Sequence, residues 1–320
     1  MISRVGICIF LAREPLKIAL RTLHYALAAA PANTTIDLVV NGNSELSAAL
    51  AQYARQDDNG DARVRVWSIG LGDKANAWNR YLYEIWSGES VAFFMDGYVM
   101  PQSDAIALLA DRVMADGYVL GGSGVPSSGR SASSGSTQSP RAGGFQGNLC
   151  CIKGTAIEEI RARGIKIPIG LYWSDGFIGA LLTFGLDPRK NSWDSRRIAV
   201  LPTATWTVGP RYWWRASDLA SHYKRLRRQA RGRLENRALQ EHVANRRLAP
   251  ELLPARAETL VRAWAAAYPR EYWSTLVRNP LALNWAKQYT SAGSSTSLAA
   301  TLLSDRLVSR GDYVHSRAAG

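Results

Sequence analysis

One acidic side chain follows an uninterrupted apolar run in the N-terminal half of the sequence. Asp96 comes directly after residues 91–95, which read Val-Ala-Phe-Phe-Met. A strand that is apolar at every position is typical of a parallel sheet buried on both faces, and such sheets bind ligands at the carboxyl ends of their strands. Because a carboxylate buried there without a partner is costly, we expect Asp96 to meet a cation or a hydroxyl. A structural role as a turn or helix cap is the alternative.

A lysine and two glycines lie where a predicted strand turns into a predicted helix. Residues 70–74 read Gly-Leu-Gly-Asp-Lys. The backbone N–H groups and the helix dipole at such a turn favour a phosphate group, so Lys74 is a candidate phosphate ligand. The segment lacks the Gly-Lys-Ser/Thr ending of a P-loop, and a structural turn is the alternative interpretation.

A second carboxylate lies at the start of another predicted helix. Residues 172–177 read Tyr-Trp-Ser-Asp-Gly-Phe, which places Asp175 in the first helical turn. One interpretation is structural, with Ser174 as the N-cap and Asp175 as a favourable acid in the first turn. The functional interpretation is a general base that removes a proton from an acceptor hydroxyl.

The elements that must position these residues alternate between strand and helix. The apolar pattern predicts strands at residues 5–11, 36–40, 64–68 and 91–95, and helices at 15–30, 45–54 and 74–86. Right-handed crossovers between such units give a largely parallel sheet. The ends of its strands should therefore border one crevice, and the residues at these ends are Ala12, Asn41, Gly70 and Asp96.

The chain beyond residue 120 has three further features. Residues 121–144 are rich in Gly and Ser, and we interpret them as a mobile loop inside the domain. The pattern then predicts helices at 155–163, 175–184, 255–267 and 271–287, and a strand at 197–207. Pro250 and Pro254 mark a boundary, which divides the chain into an α/β domain, 1–245, and a helical C-terminal extension and tail, 246–320.

The order of these motifs resembles that of family 2 glycosyltransferases of bacterial type, over residues 4–235. This family has the GT-A fold, an α/β mixed sheet flanked by helices. The segments that carry the resemblance are Lys-Ala-Asn-Ala-Trp-Asn at 74–79, Asp-Gly-Tyr at 96–98, Gly-Phe-Gln-Gly-Asn at 144–148 and Ser-Asp-Gly at 174–176. In the family these positions hold the Gly-Lys-x-x-Ala-x-Asn segment, the Asp-x-Asp motif, a glycine-led segment and the Glu-Asp base motif.

The resemblance implies an inverting hexosyltransferase for polysaccharide biosynthesis. A sugar would pass from a nucleoside-diphosphate sugar to a glycan or lipid-linked acceptor hydroxyl, with Asp175 as the general base. Asp96 would lie at the donor diphosphate and hold a divalent metal ion, Mg²⁺ or Mn²⁺. Since Tyr98 replaces the second aspartate of the family motif, direct metal ligation rests on Asp96. The expected donor-binding residues are Ala12, Asn41, Lys74, Asn76, Asp96, Gly147 and Asn148.

The positive charge of the chain is concentrated near one predicted helix. The net charge is +13, and residues 222–247 hold nine Lys or Arg residues and two acidic ones. Apolar residues at helical spacing give this stretch an apolar stripe, formed by Tyr223, Leu226, Ala230, Leu234 and Ala238. Three interpretations are open: a solvated face, a face that contacts an anionic membrane, and arginines that fold back onto the donor diphosphate.

Two rival functions remain beside the first. A nucleotidyltransferase could use the same kind of sheet, but would need a Gly- and Arg-rich loop after the first strand. A non-catalytic polyanion binder could use the Arg-rich helix, but the motif-bearing sheet edge lies elsewhere, and we expect no nucleic-acid partner.

Three cysteines, two of them adjacent, indicate reduced core residues. No apolar run is long enough to span a bilayer. We therefore expect a cytoplasmic protein at or near the inner membrane face.

Overall fold

The computed structural model describes residues 4–55, 62–127, 144–209, 216–283, 285 and 298–308. The strands are β1 (Val5–Leu11), β2 (Thr35–Asn41), β3 (Ala62–Ile69), β4 (Val91–Asp96), β5 (Val99–Pro101), β6 (Gly121–Pro126), β7 (Leu149–Lys153), β8 (Ile198–Val208) and β9 (Ala300–Val308). The helices are α1 (Leu16–Ala29), α2 (Ser44–Arg55), α3 (Lys74–Arg80), α4 (Ala105–Met114), α5 (Gly154–Ala162), α6 (Ser174–Thr183), α7 (Ala216–Gln240), α8 (Ala257–Ala267) and α9 (Pro269–Val277).

All nine strands form one mixed sheet in the order β5-β8-β6-β7-β4-β1-β2-β3-β9. Its parallel half consists of β3, β2, β1 and β4, in which β1 lies between β2 and β4. The four strands predicted for the N-terminal half are therefore confirmed, and so are the helices between them. The carboxyl ends of β1, β2 and β4 meet at one edge, because Phe10 is paired with Asp96 and Leu11 with Val40.

The predicted loop at residues 121–144 is wrong for its first six residues. Gly121–Pro126 forms the buried strand β6, which is antiparallel to β7 and parallel to β8. Its glycines allow neighbouring strands to approach closely: a Cβ on Gly121 would lie 2.6 Å from the Cys151 carbonyl oxygen, and one on Gly124 would lie 2.5 Å from that of Ala204. The loop-like composition thus reflects close strand packing. Residues 128–143 of the predicted loop lie outside the described residues.

The C-terminal range is not entirely helical. Helices α8 and α9 are present, but α9 ends at Val277, ten residues before the predicted helix end. Strand β9 then returns to the sheet and runs antiparallel to β3, where the Arg63 guanidinium forms an ion pair with Asp305. The predicted division of the chain at residue 245 stays a prediction.

Apolar clusters cover both faces of the sheet. One includes Ile7 and Ile9 of β1, together with α1, α2 and α4. The other includes Phe94 of β4 and continues through α3, α5 and α6 to the buried side chains of α7, α8 and α9. The C-terminal helices therefore share a core with β4, the strand that carries Asp96. Among the described helices, none is both long and apolar enough to cross a membrane.

The basic helix is only partly bound to this core. Ala230, Leu234 and Ala238 of the predicted apolar stripe are buried, whereas Tyr223 and Leu226 are 53 % and 38 % exposed. The second half of α7 thus packs against the domain as a surface helix, whereas residues 222–226 are exposed.

Candidate active site

The ends of β1 and β2 are tied together by side-chain amides. Asn41 is buried, and its Nδ2 donates a hydrogen bond of 2.8 Å to the Leu11 carbonyl oxygen. In the same way Asn43 donates to the carbonyl oxygen of Ala12 over 2.9 Å. Ala12 and Asn41 therefore lie at the predicted crevice, and the amide nitrogen of Asn41 braces the strand ends.

Lys74 and Asp96 form an ion pair beside this edge. The distance from Lys74 Nζ to Asp96 Oδ1 is 2.5 Å, and the Tyr98 hydroxyl donates to Asp96 Oδ2 over 2.9 Å. Burial lowers the pKa of Lys74, but the carboxylates of Asp96 and Asp175 outweigh that effect and hold its pKa well above the usual range. Lys74 is thus a cation at neutral pH, and Asp96 meets both a cation and a hydroxyl, as the sequence predicted.

Asp175 lies in the first turn of α6 and is held by a glycine. The N–H of Gly147 donates to Asp175 Oδ2 over 3.0 Å. A Cβ on Gly147 would lie 2.6 Å from the same oxygen, so only glycine allows this approach. Asp96 contacts the Lys74 ammonium group directly, and the Asp175 carboxylate helps to raise the pKa of Lys74.

Residues 165–173 connect α5 to α6 and lead into Asp175; we call them the connector. On one side α3 holds the connector. Asn79 donates to the Ile167 carbonyl oxygen over 2.8 Å and accepts from the Ile167 N–H over 2.9 Å. Asp73, the N-cap of α3, accepts from the Gly170 N–H over 3.1 Å. The helix that carries Lys74 therefore also fixes the approach to Asp175.

On its other side the connector is held by α7. Arg231 donates to the Gly170 carbonyl oxygen and to Glu235, whose other carboxylate oxygen accepts from the Tyr172 N–H over 2.8 Å. A Cβ on Gly232 would lie 2.6 Å from the Tyr172 ring, so the helix and the connector are in close contact there. Arg231 thus binds the connector. From the sequence it was also open whether Arg231 contacts the donor diphosphate.

Two predicted donor-binding residues differ in their placement. Asn76 has no exposed surface, and its Nδ2 donates to the Leu298 carbonyl oxygen over 3.1 Å. The structure therefore does not bring the Asn76 side chain to the cleft, because α3 turns this position toward the segment before β9. Asn148 is partly exposed and lies in the turn between Gly147 and β7.

Sequence reasoning missed the residues that hold the connector. Asn79, Asp73, Arg231 and Glu235 are separated from their partners by 61 to 97 residues. Two local signals could have pointed to them. Gly232 interrupts an otherwise strong helical pattern, and Glu235 is one of two acidic residues in the basic stretch.

The residues around Asp96 do not offer a divalent ion an open site. Both carboxylate oxygens accept hydrogen bonds, and the Lys74 ammonium group already occupies the position of a counter-cation. Within the described part of the chain, no three His, Cys, Asp or Glu side chains lie close enough to hold a metal ion. A divalent ion beside Lys74 would also meet the repulsion of like charges.

No family model matches the chain, and no curated protein matches it in sequence. Solved structures nevertheless share its fold. The mannosyltransferase PcManGT from Pyrobaculum calidifontis, in complex with GDP-Man and Mn²⁺, is 15 % identical, with a TM-score of 0.56 over 90 % of this chain and 82 % of that one. This likeness confirms the predicted GT-A fold.

Two further solved structures are less similar to this chain. Residues 1–349 of S. aureus TarS are 10 % identical, with a TM-score of 0.49 over 83 % of this chain and 74 % of that one. Glucosyl-3-phosphoglycerate synthase from Mycobacterium tuberculosis, in complex with Mn²⁺, UDP-glucose and phosphoglyceric acid, is 12 % identical, with a TM-score of 0.46 over 71 % and 78 % of the two chains.

Proposed function

We propose that this chain is a glycosyltransferase that moves a sugar from a nucleoside-diphosphate sugar to the hydroxyl group of a glycan or lipid-linked acceptor. The observation that carries the proposal is the ion pair between Lys74 and Asp96 at the carboxyl end of β4, where the Asp175 carboxylate also helps to raise the pKa of Lys74. A solved structure with this fold holds GDP-Man. Because fold alone does not establish function, the charged site is the main support.

Lys74 acts on the leaving group. When the bond between the anomeric carbon and the diphosphate breaks, negative charge grows on the nucleoside diphosphate. A fixed cation at that position stabilises the transition state more than the ground state. Asp96 keeps Lys74 protonated and, with the Tyr98 hydroxyl, fixes its orientation. The donor-binding role of Ala12, Asn41, Gly147 and Asn148 is part of the same proposal.

Asp175 acts on the acceptor. Its carboxylate takes the proton of the acceptor hydroxyl while that oxygen attacks the anomeric carbon from the face opposite the diphosphate. One C–O bond forms as the other breaks, so the configuration at the anomeric carbon inverts. The Gly147 N–H and the connector hold the carboxylate at the start of α6.

The proposed mechanism uses Lys74 at the diphosphate and no metal ion, because both oxygens of Asp96 already have hydrogen-bond partners. Divalent metal binding at Asp96 stays a prediction of the family resemblance. The bacterial type, transfer of a hexose, a role in polysaccharide biosynthesis, a cytoplasmic location and contact with an anionic membrane likewise stay predictions.

The test of the proposed function is a product analysis. The full chain is incubated with GDP- and UDP-sugars and a panel of glycan and lipid-linked acceptors, with and without Mn²⁺. We expect release of a nucleoside diphosphate and an acceptor enlarged by one sugar of inverted configuration. Release of pyrophosphate would instead indicate a nucleotidyltransferase and would overturn the proposal.

A variant of Asp175, the proposed general base, provides a second test. Asp175→Asn keeps the size of the side chain and its acceptor oxygen for Gly147, but it removes the basic carboxylate. We expect transfer to fall by about three orders of magnitude or more, since general base catalysis contributes about 10² to 10⁴, while nucleotide affinity stays the same. Unchanged turnover would exclude Asp175 from the mechanism.

A further inference from the structure

We propose that a groove between α7 and α9 binds a phosphate group carried by the acceptor. The groove has a volume of about 550 Å³. Its lining includes an aromatic ring, three arginines and three carboxamides, contributed by Trp173, Arg233, Arg237, Arg278, Asn236, Gln240 and Asn279. This inference rests on the proposed function, because it names the chemical class of the acceptor.

The charge of the groove is of one sign. Arg233 and Arg237 lie four residues apart on α7, hence on one face of the helix, and Arg278 follows α9 across the groove. Among the described residues, no acidic side chain lines it and none of the three arginines forms an ion pair. By contrast, Arg231 on the same helix is paired with Glu235. Three guanidinium groups around one space repel one another unless an anion lies between them.

The geometry of arginine favours phosphate as that anion. A guanidinium group donates two parallel hydrogen bonds to the oxygens of a phosphate, and such contacts are among the stronger hydrogen bonds in proteins. Asn236, Gln240 and Thr275 add neutral polar groups that suit the hydroxyls of a sugar or polyol. The volume lies within the range of small-molecule sites, so the groove has room for more than a phosphate group alone.

The groove begins next to the proposed base. Trp173 lines it and lies two residues before Asp175. Gly232 of α7 is in close contact with the Trp173 ring, which fixes the groove relative to the start of α6. The donor diphosphate belongs at Lys74, so a phosphate in this groove is on the acceptor side. The acceptor is then a phosphorylated sugar or polyol, either free in water or linked to a lipid.

Binding of two phosphate sources tests this inference in the full chain. Glycerol 3-phosphate is the water-soluble probe, with glycerol as its uncharged control, and calorimetry measures affinity. Vesicles of phosphatidylcholine with and without phosphatidic acid are the lipid probe, and sedimentation measures binding. We expect saturable binding of at least one phosphate-bearing probe and no binding of glycerol.

Two charge-matched double variants show whether the groove is responsible. R233Q/R237Q removes two charges from the groove, and K224Q/R225Q removes two from exposed positions on the same helix outside it. We expect the first pair to weaken binding at least about tenfold and the second to leave it nearly unchanged. Loss confined to vesicles would assign the phosphate to a lipid, and loss for glycerol 3-phosphate would assign it to a soluble acceptor.

Equal weakening in both pairs would show a diffuse charge effect and would overturn the inference, as would the absence of binding to both probes. Affinity for GDP and UDP is measured on the same samples. If a nucleotide binds in every variant but neither phosphate probe does, the inference fails and the proposed function stands. If no nucleotide binds to the wild-type chain, the proposed function itself fails.

Discussion

The proposed chemistry centres on Lys74, whose pKa is raised by two carboxylates. Asp96 contacts the Lys74 ammonium group directly, and Asp175 acts on it without a direct bond. A substrate that brings negative charge to Lys74 would compete with Asp96 for the same donor. The pair is therefore suited to bind a diphosphate and to release it again.

We predict that Lys74→Met weakens binding of GDP or UDP, whichever the wild-type chain binds. A hydrogen bond to a charged group contributes about 1.5–3 kcal/mol, which corresponds to a loss of about 10- to 100-fold in affinity. Calorimetry with and without Mn²⁺ measures the loss. Lys190→Met, at an exposed position, is the control. Equal affinity of the two variants would count against Lys74 as the diphosphate ligand.

The space between Gly147 and the Asp175 carboxylate is too small for a larger side chain at position 147. We expect Gly147→Ala to displace the Asp175 carboxylate, because the added Cβ would lie 2.6 Å from its oxygen. The transfer rate should fall at least tenfold. Gly117→Ala is the control, since a Cβ there meets nothing within 4 Å. A Gly147→Ala enzyme with wild-type kcat would show that the approach of Gly147 to Asp175 is not needed for catalysis.

The sequence was sufficient to place the charged residues of the candidate site on the fold and insufficient to place the side chain of Asn76. Lys74, Asp96 and Asp175 each stand directly beside the end of a strand or the start of a helix, so local patterns predict where they lie. Asn76 also belongs to the motif of Lys74, but its direction depends on Leu298, far along the chain. Tertiary packing decides which face of a short helix lies toward the cleft, and a local sequence pattern carries no information about that packing.

At the scale of elements, the connector links α3, which carries Lys74, to α6, which carries Asp175. Helix α3 presents Lys74 at its first turn and binds the connector through Asn79 at its last. Helix α7 binds the connector from the other side through Arg231 and Glu235. A displacement of the connector would therefore move Asp175 relative to Lys74.

We predict that Asn79→Ala separates stability and turnover from nucleotide binding. It leaves the buried N–H and carbonyl of Ile167 without their partner, which costs about 2–3 kcal/mol. Urea unfolding should show this loss, and kcat should fall while affinity for the nucleotide stays within a factor of about two. Asn245→Ala, at an exposed helix position, is the control. A parallel loss of nucleotide affinity would contradict a role confined to the connector.

Strand β6 shows why one element escaped prediction. Its residues, Gly-Gly-Ser-Gly-Val-Pro, have the composition of a loop and no apolar alternation. The strand exists because β7 and β8 supply backbone partners on both sides, and because glycine alone fits between their carbonyl groups and side chains. Tertiary contacts override local propensity here.

At the scale of the whole molecule, a strand near the C-terminus pairs with a strand of the N-terminal half. Strand β9, near the C-terminus, covers the free edge of β3, so the parallel half of the sheet is not exposed on that side. The segment before it contacts α3 through the hydrogen bond from Asn76 to Leu298. The pairing of a C-terminal strand with an N-terminal one depends on long-range contacts. Local sequence patterns do not contain these contacts, so they predicted only a tail at the position of β9.

We predict that β9 stabilises the domain without taking part in the chemistry. A chain that ends at residue 297 loses the pairing with β3 and the ion pair between Arg63 and Asp305, and it exposes an unpaired strand edge. Its Tm should fall by at least about 5 °C, since a loss of 1 kcal/mol lowers Tm by about 2–4 °C in domains of 150–250 residues. Calorimetry measures the shift, and light scattering detects the aggregation that an open edge favours. A chain that ends at residue 309 retains all of β9 and serves as the control. If both chains unfold at the same temperature, the edge of β3 is stable without β9 and its closure is not what holds this half of the sheet together.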